Sequence, residues 1–136
     1  MRPIVLLTLA ALLAVGAGAL IEWGSPQAGF LAGGVVVLVS LPLLALARRQ
    51  LGAAFTLTPQ ARALVTHGLY SRIPHPMYAF LDLALLGGIV MLRQVWLPAA
   101  WAGLVVVQAL QARREAKVLE QAFGDAYRAY RNRTWW

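Results

Sequence analysis

Four side chains capable of chemistry stand out by type and position: His75, Tyr78, Asp82 and Glu115. The first three are three and four residues apart, so on a helix beginning near His75 they share one face. Asp82 then lies about a turn and a half inside an apolar segment, where an ionisable group is costly and marks a functional site by default. The plainer readings of Asp82 are a hydrogen bond to a neighbouring helix or a place at headgroup depth. Glu115 gives a similar signal. At 100° per residue, Gln108, Gln111, Ala112, Val118, Leu119 and Ala122 fall within about 60° of it, whereas Arg113, Lys117 and Glu120 fall on the far side. No basic residue lies three or four positions away, so Glu115 has no ion pair within its own helix. A carboxylate on a weakly polar stripe needs a partner from elsewhere. That partner is an arginine of the preceding connection, Arg62 or Arg72, or a ligand that is cationic or rich in hydroxyls. Glu120 faces Lys117 and reads as a solvated pair.

The elements that must position these residues are helices. The chain has 136 residues, 60% of them hydrophobic and 12% charged, against about 25% charged in a soluble globular protein. Four apolar segments stand out, at about 3–21, 28–47, 77–92 and 95–112. About 20 helical residues cross a hydrocarbon core of roughly 30 Å; the first two segments meet that length, and the last two cross as a tight hairpin or with snorkelling ends. The expectation is an all-α, polytopic membrane bundle of about four transmembrane helices with a C-terminal helix beyond them. It forms one domain: an N-terminal helical hairpin (1–47), a capping segment (48–76), a second hairpin (77–112) and a tail helix (113–136). Gly29 and Gly33, four apart, allow close helix approach, and Pro42 is expected to kink the second span. The segment 48–76 is too long for a simple connector and, being irregular, must be wet or covered by protein. Residues 1–20, with Gly16 to Ala19 near their end, have features of a signal peptide, but the apolar run is long for one and reads as a retained span.

Charge sets the topology. Of the basic residues, Arg48, Arg49, Arg62, Arg72, Arg113, Arg114, Lys117, Arg128, Arg131 and Arg133 follow span two or span four, and Arg93 alone sits in the opposite link. The positive-inside rule places both termini and the 48–76 segment in the cytoplasm, in an integral protein of a bacterial-type inner membrane. The net charge of +7 is then accounted for by topology and by anionic lipid headgroups. No basic–aromatic stripe on a soluble module points to nucleic acid. The absence of cysteine excludes disulfides, thiolate catalysis and Cys-ligated metal centres, and no metal site is expected.

Two stretches together carry a family resemblance. Leu64, Val65, Thr66, Gly68 and Tyr70, followed by His75, Pro76 and Tyr78, and then Glu115, Leu119, Phe123, Gly124, Tyr127 and Tyr130, resemble the isoprenylcysteine carboxyl methyltransferases over about residues 50–133. The resemblance implies an integral membrane enzyme that takes a methyl group from S-adenosylmethionine. It further implies that Leu64 and Val65 (through backbone), Tyr70, His75, Pro76, Met77, Tyr78 and Glu115 contact the cofactor. Aromatic faces suit the adenine ring and the sulfonium; a carboxylate suits the ribose hydroxyls or the ammonium. Methyl transfer to a carboxylate needs no base, so no acid–base catalyst is assigned. An amine, thiol or hydroxyl acceptor would need one, and Asp82 and His75 are the candidates.

Three positions depart from the family's pattern. Pro74 stands where an arginine precedes the His-Pro pair, Ala116 replaces the second of two glutamates, and Gln111 stands where prenylcysteine methylases hold the substrate carboxylate with arginine. Gln111 and Asp82 are the substrate candidates. These departures turn the expected acceptor toward some other lipophilic or prenylated small molecule. The alternatives are a phospholipid or amine N-methyltransferase, a sterol reductase using a nicotinamide cofactor, and a non-catalytic relative that acts as a small membrane interaction protein.

Overall fold

The architecture comes from a computed structural model, which describes residues 12–19, 21–22, 24–52 and 64–135. These residues form helices and contain no strand. Helical turns over 12–19 and 21–22 (α1) lead to α2 (Pro26–Leu51), a 3₁₀ turn (Gly68–Ser71), α3 (Pro76–Leu92) and α4 (Leu97–Arg133). Arg62, Pro59 and the rest of 53–63, and the first eleven residues, lie outside the described residues, as do Trp23 and Trp136.

The boundaries follow local chemistry. Ser25 caps α2 by accepting from the Ala28 amide at 3.2 Å, with Pro26 at the first helical position, where a missing N–H costs nothing. Gly52 ends the helix at φ 52°. α2 continues through Pro42 as a single helix. Proline also starts α3 and α4, at Pro76 and Pro98.

Glycines set the helix spacing. Gly33 of α2 meets Gly87 of α3 so closely that a Cβ at Gly33 would overlap the Gly87 carbonyl and the Met91 side chain. Gly29, one turn away, lies against Val90 and Arg93. The close approach expected of the Gly29–Gly33 pair is therefore realised, with α2 and α3 antiparallel. Ala17 and Ile21 of α1 join Leu86, Ile89, Val90 and Trp101 in the apolar core. Arg93, which closes α3 in the left-handed region at φ 55°, donates to the Ile21 carbonyl and so caps the end of α1, where a cation is favourable.

α4 carries the expected fourth span (95–112) and the tail helix (113–136) in one 37-residue helix whose only non-helical residue is Gly124, at φ 48° and ψ −118°. The residues around 113 are good helix formers with no breaker among them. Beyond the bend, Arg128 reaches back to Glu120 at 2.9 Å and to Asp125 at 3.0 Å. Glu120 is thus exposed, as expected, but its partner is Arg128 and not Lys117: the bend brings together two residues eight positions apart.

Pro26–Leu51 is the one helix, among the described residues, long and apolar enough to cross a membrane; Pro76–Leu92 is a shorter apolar helix. The outer face of α2 exposes Phe30, Leu31, Val35, Leu38 and Val39. A contiguous apolar face of this kind is far larger than a water-facing surface tolerates.

Candidate functional site

The site forms where α3 begins. His75 occupies the position before Pro76 but makes no capping bond with its side chain, although this position favours Ser, Thr, Asp or Asn for that purpose. Its ring turns to α4 instead, where Nδ1 lies 3.4 Å from Glu115 Oε2. One turn on, the Tyr78 hydroxyl donates to Glu115 Oε1 at 2.6 Å. The His75 and Tyr78 rings stack with centroids 5.6 Å apart and 22° between planes. Gln111, one turn before Glu115, adds a side-chain hydrogen bond to the carboxylate. The sequence left Glu115 an arginine or a ligand as partner. The structure gives it Tyr78, His75 and Gln111, and not Arg72; Arg62 lies outside the described residues.

Burial dominates the electrostatics here. Desolvation raises the Glu115 pKa, while the bonds from Tyr78 and Gln111 lower it. Desolvation, and then the charge of Arg131, hold His75 down at about 4. The imidazole is neutral at pH 7, so its 3.4 Å approach to the carboxylate is not an ion pair. Burial also raises the phenols of Tyr70 and Tyr127, and pushes Tyr130 up to about 12.

Tyr70 belongs to the 3₁₀ turn and is buried. That turn is held from two sides. Gln50, in the last turn of α2, accepts the Leu69 amide at 2.8 Å. Tyr130, past the bend, donates to the Tyr70 carbonyl at 2.8 Å, and the Trp135 amide donates to the Arg72 carbonyl at 2.9 Å. Gly68 sits at φ 59°, which favours glycine, and a Cβ there would displace the Gln50 carboxamide. Leu64 and Val65 form half-buried irregular chain before the turn, Pro74 and Pro76 are buried, and Met77 is half-buried in the first turn of α3.

Asp82 faces α4 one turn beyond Tyr78. Gln108 hydrogen-bonds its side chain, and the Trp101 indole donates to its carbonyl at 3.2 Å. Its Oδ1 is buried without a partner, which leaves an orphaned acceptor in the same α3–α4 interface as Glu115. All the site residues read from the sequence are therefore described, and His75, Tyr78, Gln111 and Glu115 form one cluster. Gln50, Tyr130 and Trp135 were missed as contributors. Tyr130 carried a signal, as part of the Phe123-to-Tyr130 pattern; Gln50 and Trp135 carried none. No group of three or more His, Asp or Glu among the described residues is placed to hold a metal. An apolar cavity of about 760 Å³ lies between α1, α2 and α3, lined by Leu83, Leu86, Gly87 and Val90, on a different flank of α3 from Tyr78 and Asp82.

The described residues form an apolar helical bundle with a half-buried carboxylate and aromatic rings gathered where α3 begins. The phospholipid methyltransferase family model matches residues 26–126, and the chain belongs to that family. This places it in the same group of membrane methyltransferases as the isoprenylcysteine enzymes it resembles. Comparison with curated proteins and with solved structures gives no match.

Proposed function

We propose that this protein transfers the methyl group of S-adenosylmethionine to a lipophilic acceptor at the membrane. The observation that carries the reading is the convergence of Tyr78 and His75 on Glu115, 37 and 40 positions along the chain, beside the buried turn that holds Tyr70. The donor set fits the cofactor. Glu115 suits the ribose hydroxyls or the ammonium, the stacked His75 and Tyr78 rings with Tyr70 offer faces to the adenine and the cationic sulfur, and the Leu64–Val65 backbone offers amides. Pro76 and Met77 pack at the same rim. When bound, the cofactor supplies an electrophilic methyl group; the chain's own work is to align the acceptor with it and to exclude water.

Four spans, with both termini and the site in the cytoplasm, complete this reading. The second and third helices, α2 and α3, carry the hairpin, and the basic residues cluster at the end where the site opens. Residues 64–76 then lie at the site, and α4 runs on from the membrane past it.

Two observations favour an amine-bearing lipid over a carboxylate as acceptor. Gln111 is engaged with Glu115 and supplies no cation to hold a carboxylate. The orphaned Asp82 oxygen in the same interface repels an anion and attracts an ammonium. An amine must lose a proton before its lone pair can attack. Asp82, whose Oδ1 is buried without a partner in the same interface, is placed to take that proton.

Calorimetric titration of S-adenosylhomocysteine into detergent-purified wild type and Glu115→Ala tests the cofactor site. Binding in the wild type and loss in the variant are expected; no heat with folded wild type overturns the reading. Transfer of labelled methyl from S-adenosylmethionine to phosphatidylethanolamine vesicles, compared with a prenylcysteine, then separates the acceptors.

A further inference from the structure

We propose that Gln50 is a positioning residue for the cofactor site, tying the 3₁₀ turn to the membrane hairpin; this rests on the reading of that site given above. Gln50 is in the last turn of α2, far in sequence from every residue of the Tyr78–Glu115 cluster. Its Oε1 accepts the Leu69 amide at 2.8 Å across nineteen residues. Gly68 is packed directly on the same carboxamide.

The turn has its own internal bonds. The Tyr70 amide donates to the His67 carbonyl at 3.1 Å, the Ile73 amide to the Leu69 carbonyl at 3.1 Å, and the Ser71 hydroxyl to the Gly68 carbonyl at 2.7 Å. These fix its shape but not its place. Its place is set by Gln50 on one side and by Tyr130 and Trp135 on the other. Of these anchors, Gln50 alone comes from the helix that packs closely on α3 through the Gly33–Gly87 contact. It therefore references Tyr70, and the chain running on to His75, against the helix whose first turns present Tyr78 to Glu115. A four-residue 3₁₀ turn has weak hydrogen-bond geometry, and one bond to a helix that is itself fixed has a large effect on where it sits.

The test uses the full chain in detergent, with S-adenosylhomocysteine as the probe and three readouts: its Kd, the thermal midpoint, and amide hydrogen exchange over residues 67–73. Gln50→Leu removes the acceptor at similar volume. It should raise the Kd about tenfold and speed exchange at Leu69, with a much smaller effect on the thermal midpoint than on the Kd. Gln50→Glu retains an acceptor oxygen for the Leu69 amide and should restore the Kd to within about threefold of wild type. An unchanged Kd in Gln50→Leu overturns the proposal. A raised Kd with equal losses of thermal stability in both variants also overturns it, because that pattern is a general packing defect. Absence of binding in the wild type refutes the cofactor reading instead, and the exchange at Leu69 still decides whether Gln50 holds the turn.

Discussion

Replacing Glu115 by glutamine isolates the negative charge of the site from its shape. The carboxylate accepts from Tyr78 at 2.6 Å and from Gln111, with His75 Nδ1 3.4 Å away. An amide in its place keeps an oxygen for Tyr78. It turns its NH₂ toward the neutral imidazole, which can shift its proton to the other nitrogen and accept. The local structure should survive, with a stability change within about 1 kcal/mol. The ligand side differs. Hydrogen bonds to a charged group contribute about 1.5–3 kcal/mol and neutral ones about 0.5–1.5, so two ligand bonds made by Glu115 lose about 2 kcal/mol in total. That is about thirtyfold in Kd. The assay is calorimetric titration of S-adenosylhomocysteine, with Glu120→Gln as the control. Glu120 is exposed and bonded to Arg128 across the bend, and an exposed pair of this kind contributes about 0–1 kcal/mol, none of it at the ligand. A thirtyfold loss in Glu115→Gln and none in Glu120→Gln is expected. Equal effects, or a Glu115→Gln affinity within about threefold of wild type, would refute the assignment of the charge to the ligand.

Gly124→Ala should weaken the C-terminal segment: its Cβ meets nothing within 4 Å, so the cost is the left-handed backbone alone, about 1–3 kcal/mol, seen as faster proteolysis beyond residue 124. Gly33→Ala should lower the thermal midpoint sharply because its Cβ overlaps Gly87 and Met91, whereas Gly34→Ala, with nothing within 4 Å, should leave it unchanged. The pH dependence has a definite sign. The folded pKa of His75 lies below its ordinary value of 6.5, at about 4, so its contribution is present above 6.5 and is lost as pH falls through 4; the swing is about 3 kcal/mol. Glu115, whose folded pKa is raised, works in the opposite direction. Its contribution is present at low pH and lost as pH rises through its folded value. The two are separated by comparing denaturant unfolding of wild type and His75→Gln between pH 7 and pH 4: the variant should lose less stability on acidification.

Periodicity was enough to find what lies on single helices. The Glu115 stripe, the shared face of His75, Tyr78 and Asp82, and the Gly29–Gly33 contact surface all follow from 100° per residue, and all three lie where that rule puts them. What it could not find depends on contacts between segments. Gly124 looks like a tolerated glycine in a helical run, since nothing local requires a positive φ there; the burial of Tyr127 and Tyr130 against the 3₁₀ turn draws the chain into the bend. The change of polarity at Arg113 marks a change of surroundings and not of backbone, since the helix runs on to Gly124. Gln50 reads as one polar residue in a basic helix end, and only the return of the chain at Leu69 gives its carboxamide a function. Pro74 read as the loss of a cation. Its burial shows it also packs, which a motif comparison does not reveal.

The site draws on three stretches of chain, and none of them is sufficient alone. α3 brings Tyr78 and presents His75, α4 brings Glu115 and Gln111, and the segment around Tyr70 is held by groups from α2 and from beyond Gly124. A half-buried carboxylate is stable only with its donors in place. Displacement of α3 or α4 therefore leaves Glu115 short of partners, and displacement of the Tyr70 segment leaves the ligand short of contacts. It follows that Tyr130→Phe, which removes the bond to the Tyr70 carbonyl at a distance from Glu115, should weaken S-adenosylhomocysteine binding in the same direction as Gln50→Leu. The double variant measures whether the two anchors act on one element. If the turn moves as a unit, either anchor alone gives most of the loss and the effects fall short of additive. If the two losses simply add, the turn has no common motion, and each anchor holds only the residue it touches.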